Sequence, residues 1–167
     1  MASPIYNILI LCTGNSARSI LGEALANDPT TSGGRFRGYS AGSKPNGKVN
    51  PLALSTLAAH GIVPSNPRSK SWDEFSGPEA PVMDFVITVC DSAAGESCPY
   101  WPGVPLSAHW GVPDPPAAGD HAAQVAAFES AFQTLRHRMR QLAALPLESM
   151  DSAARTAALQ AIGKSLP

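Results

Sequence analysis

The stretch Tyr6-Asn7-Ile8-Leu9-Ile10-Leu11-Cys12-Thr13-Gly14-Asn15-Ser16-Ala17-Arg18-Ser19 decides how the rest of the chain reads. Tyr6 to Leu11 is short, apolar and rich in isoleucine, and Gly14-Asn15 follows it, which predicts a buried strand. Ser16 to Ala26 predicts a helix that stops near Asn27-Asp28-Pro29. Cys12 then sits at the carboxyl end of a strand, where ligands bind in an open α/β sheet. The first-turn N–H groups of the helix have no acceptor within the helix. With the helix dipole they make an anion site. A cysteine placed there is expected to ionise below the free value of ~8.5. Arg18 adds a planar fork of donors suited to a tetrahedral oxyanion. Gly14 allows close backbone approach, and Ser19 Oγ can donate to the sulfur. Thr13, Gly14, Asn15, Ser16, Ala17, Arg18 and Ser19 are the candidate oxyanion-binding residues.

Outward from this loop, strands and helices alternate. Arg35 to Ser40 predicts a second strand, stopped by Gly42. Pro51 to His60 predicts a helix capped by Asn50 and closed by Gly61, with Leu54, Leu57 and Ala58 as its apolar stripe. A short helix is expected around Trp72 to Phe75. Phe85 to Cys90 reads FVITVC, a run that suits a parallel sheet covered on both faces. Asp91 to Pro105 is a long irregular loop, and such loops are usually functional or mobile. Leu106 to His109 predicts a short strand. His121 to Ala144 predicts a long amphipathic helix, with Val125, Phe128, Phe132, Leu135, Met139 and Leu142 on its apolar face. Pro146 ends it, and Ser152 to Lys164 predicts a final helix. This alternation argues for an α/β domain with a mostly parallel sheet.

A chain of 167 residues suits one domain, 1–167, with 147–167 as a C-terminal helical extension. Hydrophobic residues make up 44% and charged residues 15%, an ordinary globular balance. A net charge of −1 gives no global field to recruit nucleic acid or an anionic membrane. Arg136, Arg138 and Arg140 are expected on a solvated helix face. Ile8 to Leu11 is too short for a signal-peptide core or a span, so a cytoplasmic location is expected. Three cysteines, Cys12, Cys90 and Cys98, do not make a secreted disulfide framework. In a reducing compartment such cysteines are more often catalytic or metal-binding. The histidines are scattered and no Cys-x-x-Cys element exists, so a zinc site is poorly supported.

The loop CTGNSARS resembles the phosphate-binding loop of the low-molecular-weight protein tyrosine phosphatase superfamily, and most closely its thioredoxin-coupled arsenate reductases. Tyr39-Ser40-Ala41-Gly42 and Asn50-Pro51-Leu52-Ala53 resemble further family motifs. Val89-Cys90-Asp91 and Cys98-Pro99 resemble the reductases' redox segment, and His109-Trp110-Gly111 with Asp114-Pro115 resembles their general-acid loop. The resemblance implies a three-layer fold with a four-stranded parallel sheet, order 2-1-3-4, flanked by helices. It also implies roles. Cys12 attacks the central atom of the oxyanion, and Asp114 protonates the leaving oxygen. Cys90 attacks the arseno-cysteine adduct, and Cys98 carries the disulfide to an external thiol reductant, thioredoxin or glutaredoxin. The activity implied is arsenate reduction in arsenic detoxification, with no tightly bound cofactor. Arsenate or phosphate is the implied ligand.

A phosphatase acting on phosphotyrosine or a small phosphoester through Cys12, Arg18 and Asp114 is the alternative. The phosphatases typically carry tyrosines just after their Asp-Pro, where this chain has Pro116-Ala117-Ala118. Two departures from the reductases stand out. The Cys90–Cys98 spacing is one residue longer than in the best-known members, and Ala17 replaces a cysteine that some carry. Asn15, Glu23 and Ser40 match positions that hold a structural potassium ion in some relatives. Lys70 or Ser71 falls in the region of that site's remaining carboxylate, and the Lys70 charge is a candidate to replace the ion. Glu23 is otherwise a helix-surface carboxylate. Trp110 is expected in the core. Trp72, Tyr100 and Trp101 read equally as core or as a docking patch.

Overall fold

The computed structural model describes residues 4–90 and 105–167. The chain runs β1 (Tyr6–Cys12), α1 (Arg18–Asn27), α2 (Pro29–Ser32), β2 (Phe36–Gly42), α3 (Pro51–Ala59), β3 (Phe85–Thr88), β4 (Leu106–His109), α4 (His121–Ala143) and α5 (Ser152–Ile162), with short 3-10 turns at Trp72–Phe75, Pro115–Ala118 and Leu147–Ser149. The four strands form one sheet in the order β2-β1-β3-β4. Every pairing is parallel. The register aligns Cys12 with Gly42, Leu11 with Thr88, and Thr88 with His109. The carboxyl ends of all four strands therefore meet at one edge of the sheet.

Side chains on a strand alternate between faces, and from Ile8 to Cys12 β1 does so with apolar residues. Ile8 and Ile10 enter a large core with Ile20, Leu21, Leu25, Phe85, Ile87, Phe128 and Phe132. Leu9 and Leu11 enter a smaller one on the other face, with Ala41, Phe75, Met83 and Val86; Trp72 packs against it. Each of these fully buried aliphatic side chains contributes about 1.5–3 kcal/mol by leaving water, which makes β1 the axis of the fold.

Several boundaries differ from the sequence reading. Helix α1 starts at Arg18 rather than Ser16, because residues 13–17 wrap into a loop; Ala17, at φ −128° and ψ −85°, is not helical. Strand β2 runs on to Gly42, past Ser40. Strand β3 ends at Thr88, although Val89 N still donates to Leu11 O at 2.9 Å. Helix α2 sits where a simple stop was expected: Pro29 opens it and Asp28 accepts from the Thr30 and Thr31 hydroxyls. In α3, Asn50 caps as expected, its side chain accepting from Leu52 N.

Helix α4 buries Phe128, Phe132, Leu135, Met139 and Leu142, but Val125 is 44% exposed. Arg138 is a clear correction. It is 3% exposed, its guanidinium held by backbone carbonyls rather than by water. Helix α5, capped by Asp151, ends at Ile162 rather than Lys164 and sends Leu159 and Ile162 into the main core. No described helix is long and apolar enough to cross a membrane.

Candidate active site

The loop between β1 and α1 is pinned from outside by its own carbonyls. Thr13 O accepts from Lys44 N, Gly14 O from Asn46 N and Ser69 Oγ, and Ser16 O from Asn50 N. A trans peptide points its C=O and N–H in opposite directions. With these three carbonyls turned outward, the N–H groups of Gly14, Asn15 and Ala17 turn inward, forming an anion-binding nest. The Gly14 N–H bonds the Cys12 sulfur. Asn15 adopts a left-handed φ of 45° and is fully buried. Its amide repays that strain by donating to Ser19 Oγ at 2.8 Å and Ser40 Oγ at 3.0 Å, while its oxygen accepts from Lys70 N at 2.9 Å. At Gly42 a Cβ would lie 2.4 Å from Thr13 O and 2.8 Å from Cys12 O, so β2 can reach the loop only with glycine there.

Cys90 follows β3 and stands beside Cys12. The two sulfurs share a hydrogen bond. Cys90 Sγ also accepts from Thr13 N at 3.3 Å and lies 3.6 Å from Thr13 Oγ1. This corrects the expected acidity of Cys12. The bond with Cys90 pushes its pKa up, and burial adds to the rise, against the pull of Arg18 and the Gly14 N–H. Two adjacent thiols that share a proton cannot both ionise readily, as in any close pair of like acids. Arg18 and the loop N–H of Gly14 do act as the sequence suggests, but a partner some eighty residues away outweighs them.

Arg18 and Asp114 form the opposite wall. Arg18 Nη1 donates to Val112 O at 3.0 Å, and Nη2 lies 3.4 Å from Asp114 Oδ1. Arg18 Nε is buried with no acceptor among the described residues, a donor that an oxyanion would satisfy. Asp114 precedes a 3-10 turn but spends no side-chain bond on capping it, which leaves its carboxylate over the guanidinium. A cavity of about 480 Å³ is lined by Cys12, Thr13, Gly14, Ser16, Ala17, Arg18, Lys44, Asn46, Cys90, Asp114 and Pro116. It joins a sulfur nucleophile, inward N–H donors, a guanidinium and a carboxylic acid around one space, the parts needed for covalent attack on a tetrahedral oxyanion with proton donation to the leaving oxygen.

The family profile for low molecular weight phosphotyrosine protein phosphatases matches residues 7–155. The chain belongs to this family. An arsenate reductase of Bacillus subtilis is 34% identical over 137 residues, spanning 81% of this chain and 94% of its own length. An arsenate reductase of Halalkalibacterium halodurans is 37% identical over 111 residues, 66% of this chain and 75% of its own. Among solved structures, the Corynebacterium glutamicum thioredoxin-dependent arsenate reductase aligns with a TM-score of 0.59 at 25% identity, covering 85% of this chain and 62% of its own. The Archaeoglobus fulgidus arsenate reductase aligns at 0.63 and 22% identity, over 83% and 99%. The sheet order 2-1-3-4 expected from the resemblance is the order observed.

Within this family fold, the sequence-predicted residues Cys12, Arg18, Asp114 and Cys90 converge on one cavity. Cys98, Tyr100 and Trp101 lie outside the described residues. Glu23 turns inward from α1 and accepts from Ser40 Oγ at 2.8 Å. The Lys70 ammonium lies 3.5 Å from Glu23 Oε1, 3.4 Å from Ser40 Oγ and 3.2 Å from Arg68 O. A potassium ion at these oxygens would meet that ammonium, so the residues present do not fit the ion. No cluster of three or more His, Cys, Asp or Glu suited to a metal occurs among the described residues.

Lys44 and Asn46 were not anticipated. They sit in Lys44-Pro45-Asn46-Gly47, which reads as a plain connection. The one available signal was position, since the loop follows a strand at the ligand-binding edge. Asn46 Nδ2 donates to Ser16 Oγ at 3.1 Å and holds the loop's rim.

Proposed function

We propose that this chain is an arsenate reductase that uses an external dithiol protein of the thioredoxin or glutaredoxin kind as its reductant. The observation that carries this reading is the second sulfur, Cys90, bonded to Cys12 at the ends of adjacent strands. A phosphatase needs one thiol; a two-electron reduction needs another within reach of it.

The Cys12 thiolate attacks arsenic, and an As–O bond breaks as Asp114 protonates the departing water. Arg18 and the inward N–H groups hold the remaining oxygens. The Cys90 thiolate then attacks Cys12 Sγ. The S–As electron pair passes to arsenic, As(V) becomes As(III), and arsenite leaves behind a Cys12–Cys90 disulfide. Cys98 attacks Cys90 Sγ and expels the Cys12 thiolate; the resulting Cys90–Cys98 disulfide is returned to thiols by the external reductant. Before the first attack the incoming arsenate dianion takes one proton from the pair, leaving the thiolate on Cys12 beside Arg18 and the Gly14 N–H; the Cys90 proton passes to solvent after the adduct forms.

The whole chain, 1–167, serves as one catalytic domain, acting in the reducing cytoplasm on arsenate in arsenic detoxification. Lys70 supplies the charge that potassium supplies in some relatives, so added potassium is expected to leave the KM for arsenate unchanged. A marked fall in KM with potassium would count against that role. The decisive experiment is mass spectrometry after one turnover with arsenate and no reductant. A Cys90–Cys98 disulfide with Cys12 free is expected. Full steady-state turnover by both Cys90→Ser and Cys98→Ser would overturn the relay, and hydrolysis of an aryl phosphate indifferent to Cys90→Ser, without arsenite formation, would favour the phosphatase reading.

A further inference from the structure

The segment His109–Asp114 leads from the end of β4 to the carboxylate over Arg18, and its other side meets the C-terminal part of the chain. Trp110 is fully buried, and its indole Nε1 donates to Leu159 O at 3.0 Å. Gly111 O accepts from Arg138 Nη1 at 3.1 Å, and Arg138 Nε donates to Ser165 O at 3.1 Å. Gly163 presses on the same backbone. A Cβ there would lie 2.5 Å from His109 O and 2.8 Å from Trp110 Cδ1. The next carbonyl along, Val112 O, is the one that holds Arg18 Nη1, and Asp114 follows two residues later.

Arg138 is informative because it is costly. A buried cation answered by carbonyls is poorly compensated, and an apolar side chain would cover the same surface more cheaply. What the guanidinium adds is direction: it ties the Gly111 carbonyl on one side to the Ser165 carbonyl on the other. The family match ends at residue 155, so Leu159, Gly163 and Ser165 all lie beyond it.

We propose that residues 159–165, working through Arg138 and the Trp110 indole, position the Asp114 loop for proton donation. Gly163 and Arg138 are positioning residues; neither lines the catalytic cavity. The C-terminal segment sets the path of residues 110–112, and that path sets the place of the Asp114 carboxylate. This rests on Asp114 being the general acid.

The test is a double-mutant cycle on single-turnover arsenite formation, with Gly163→Ala, Asp114→Asn and the pair. Misplacement by about an ångström is enough to slow such a step 10- to 100-fold. Gly163→Ala is expected to lower the rate about tenfold while leaving the KM for arsenate within about twofold, and the double variant is expected to be no slower than Asp114→Asn alone. A Gly163→Ala variant at full rate, or multiplicative losses in the double variant, would overturn the proposal. Should Asp114→Asn itself keep the full rate, the general-acid reading falls and the proposal with it. If Gly163→Ala does not fold, Arg138→Lys, which keeps the charge but cannot span both carbonyls, is read by the same criteria.

Discussion

The loop around Cys12 and the segment that brings in Asp114 face each other across 3.4 Å, yet they are held in different ways. The loop is fixed on every side. Its carbonyls are bonded to residues 44–50 and 69, and Asn15 inside it is fully buried with all its amide bonds made. The Asp114 carboxylate is 48% exposed and has no capping bond. Its backbone is held from behind, at Trp110, Gly111 and Val112. The contrast suits the chemistry. Donors that stabilise charge work best when they need no reorganisation, whereas a proton donor must let the leaving group depart.

The largest effect tests the loop. Cys12→Ser is expected to lower arsenate turnover by at least about 10³-fold while the fold is retained, as judged by arsenite assay and circular dichroism. Substantial residual turnover would mean that another residue is the nucleophile. Asp114→Asn comes next, with a loss of about 10²-fold in single-turnover rate and little change in KM, the ordinary size of general-acid assistance. An equal loss in KM would instead assign Asp114 to holding Arg18. Gly42→Ala attacks the loop from β2. The added Cβ must push Thr13 O or Cys12 O aside, so kcat is expected to fall about tenfold with about 1–3 kcal/mol lost on denaturant unfolding.

Two smaller effects sharpen the comparison. Removing Cys90 removes the leading cause of the raised Cys12 pKa. In Cys90→Ala the thiolate therefore forms at lower pH, and the midpoint of Cys12 alkylation by iodoacetamide should move downward. An unmoved or higher midpoint would show that burial, not the sulfur pair, dominates. Lys44→Gln should raise the KM for arsenate about threefold at low salt and much less at high salt, since an exposed cation acts through a screened field. A salt-independent change would point to loop geometry instead.

How much could be read in advance depended on the range of the interaction. Cys12, Arg18 and the strand and helix flanking them were legible because apolar periodicity and loop composition are local signals. The cap at Asn50 was legible for the same reason, since its bond to Leu52 N spans two residues. Arg138 was misjudged because its neighbours in sequence say nothing about Gly111 and Ser165, each 27 residues away. Val125 misled for the converse reason: helical periodicity marks a face but not how much of it the rest of the fold covers. Lys70 fell in the right region by resemblance, but its bonds to Glu23 and Ser40 span 47 and 30 residues.

By itself the sequence determined an alternating α/β chain with a cysteine and an arginine set in an anion-binding loop after the first strand. Those features follow from backbone geometry over a few residues, and no distant contact is needed to form them. Only the tertiary structure decided the acidity of Cys12, because the parallel register of β1 and β3 brings Cys90 against its sulfur, which outweighs the pull of Arg18 and the Gly14 N–H. It also decided that Lys70 meets Glu23, and that the C-terminal helix backs the loop carrying Asp114. Electrostatic and packing forces act through space, and which residues share that space is fixed by the fold.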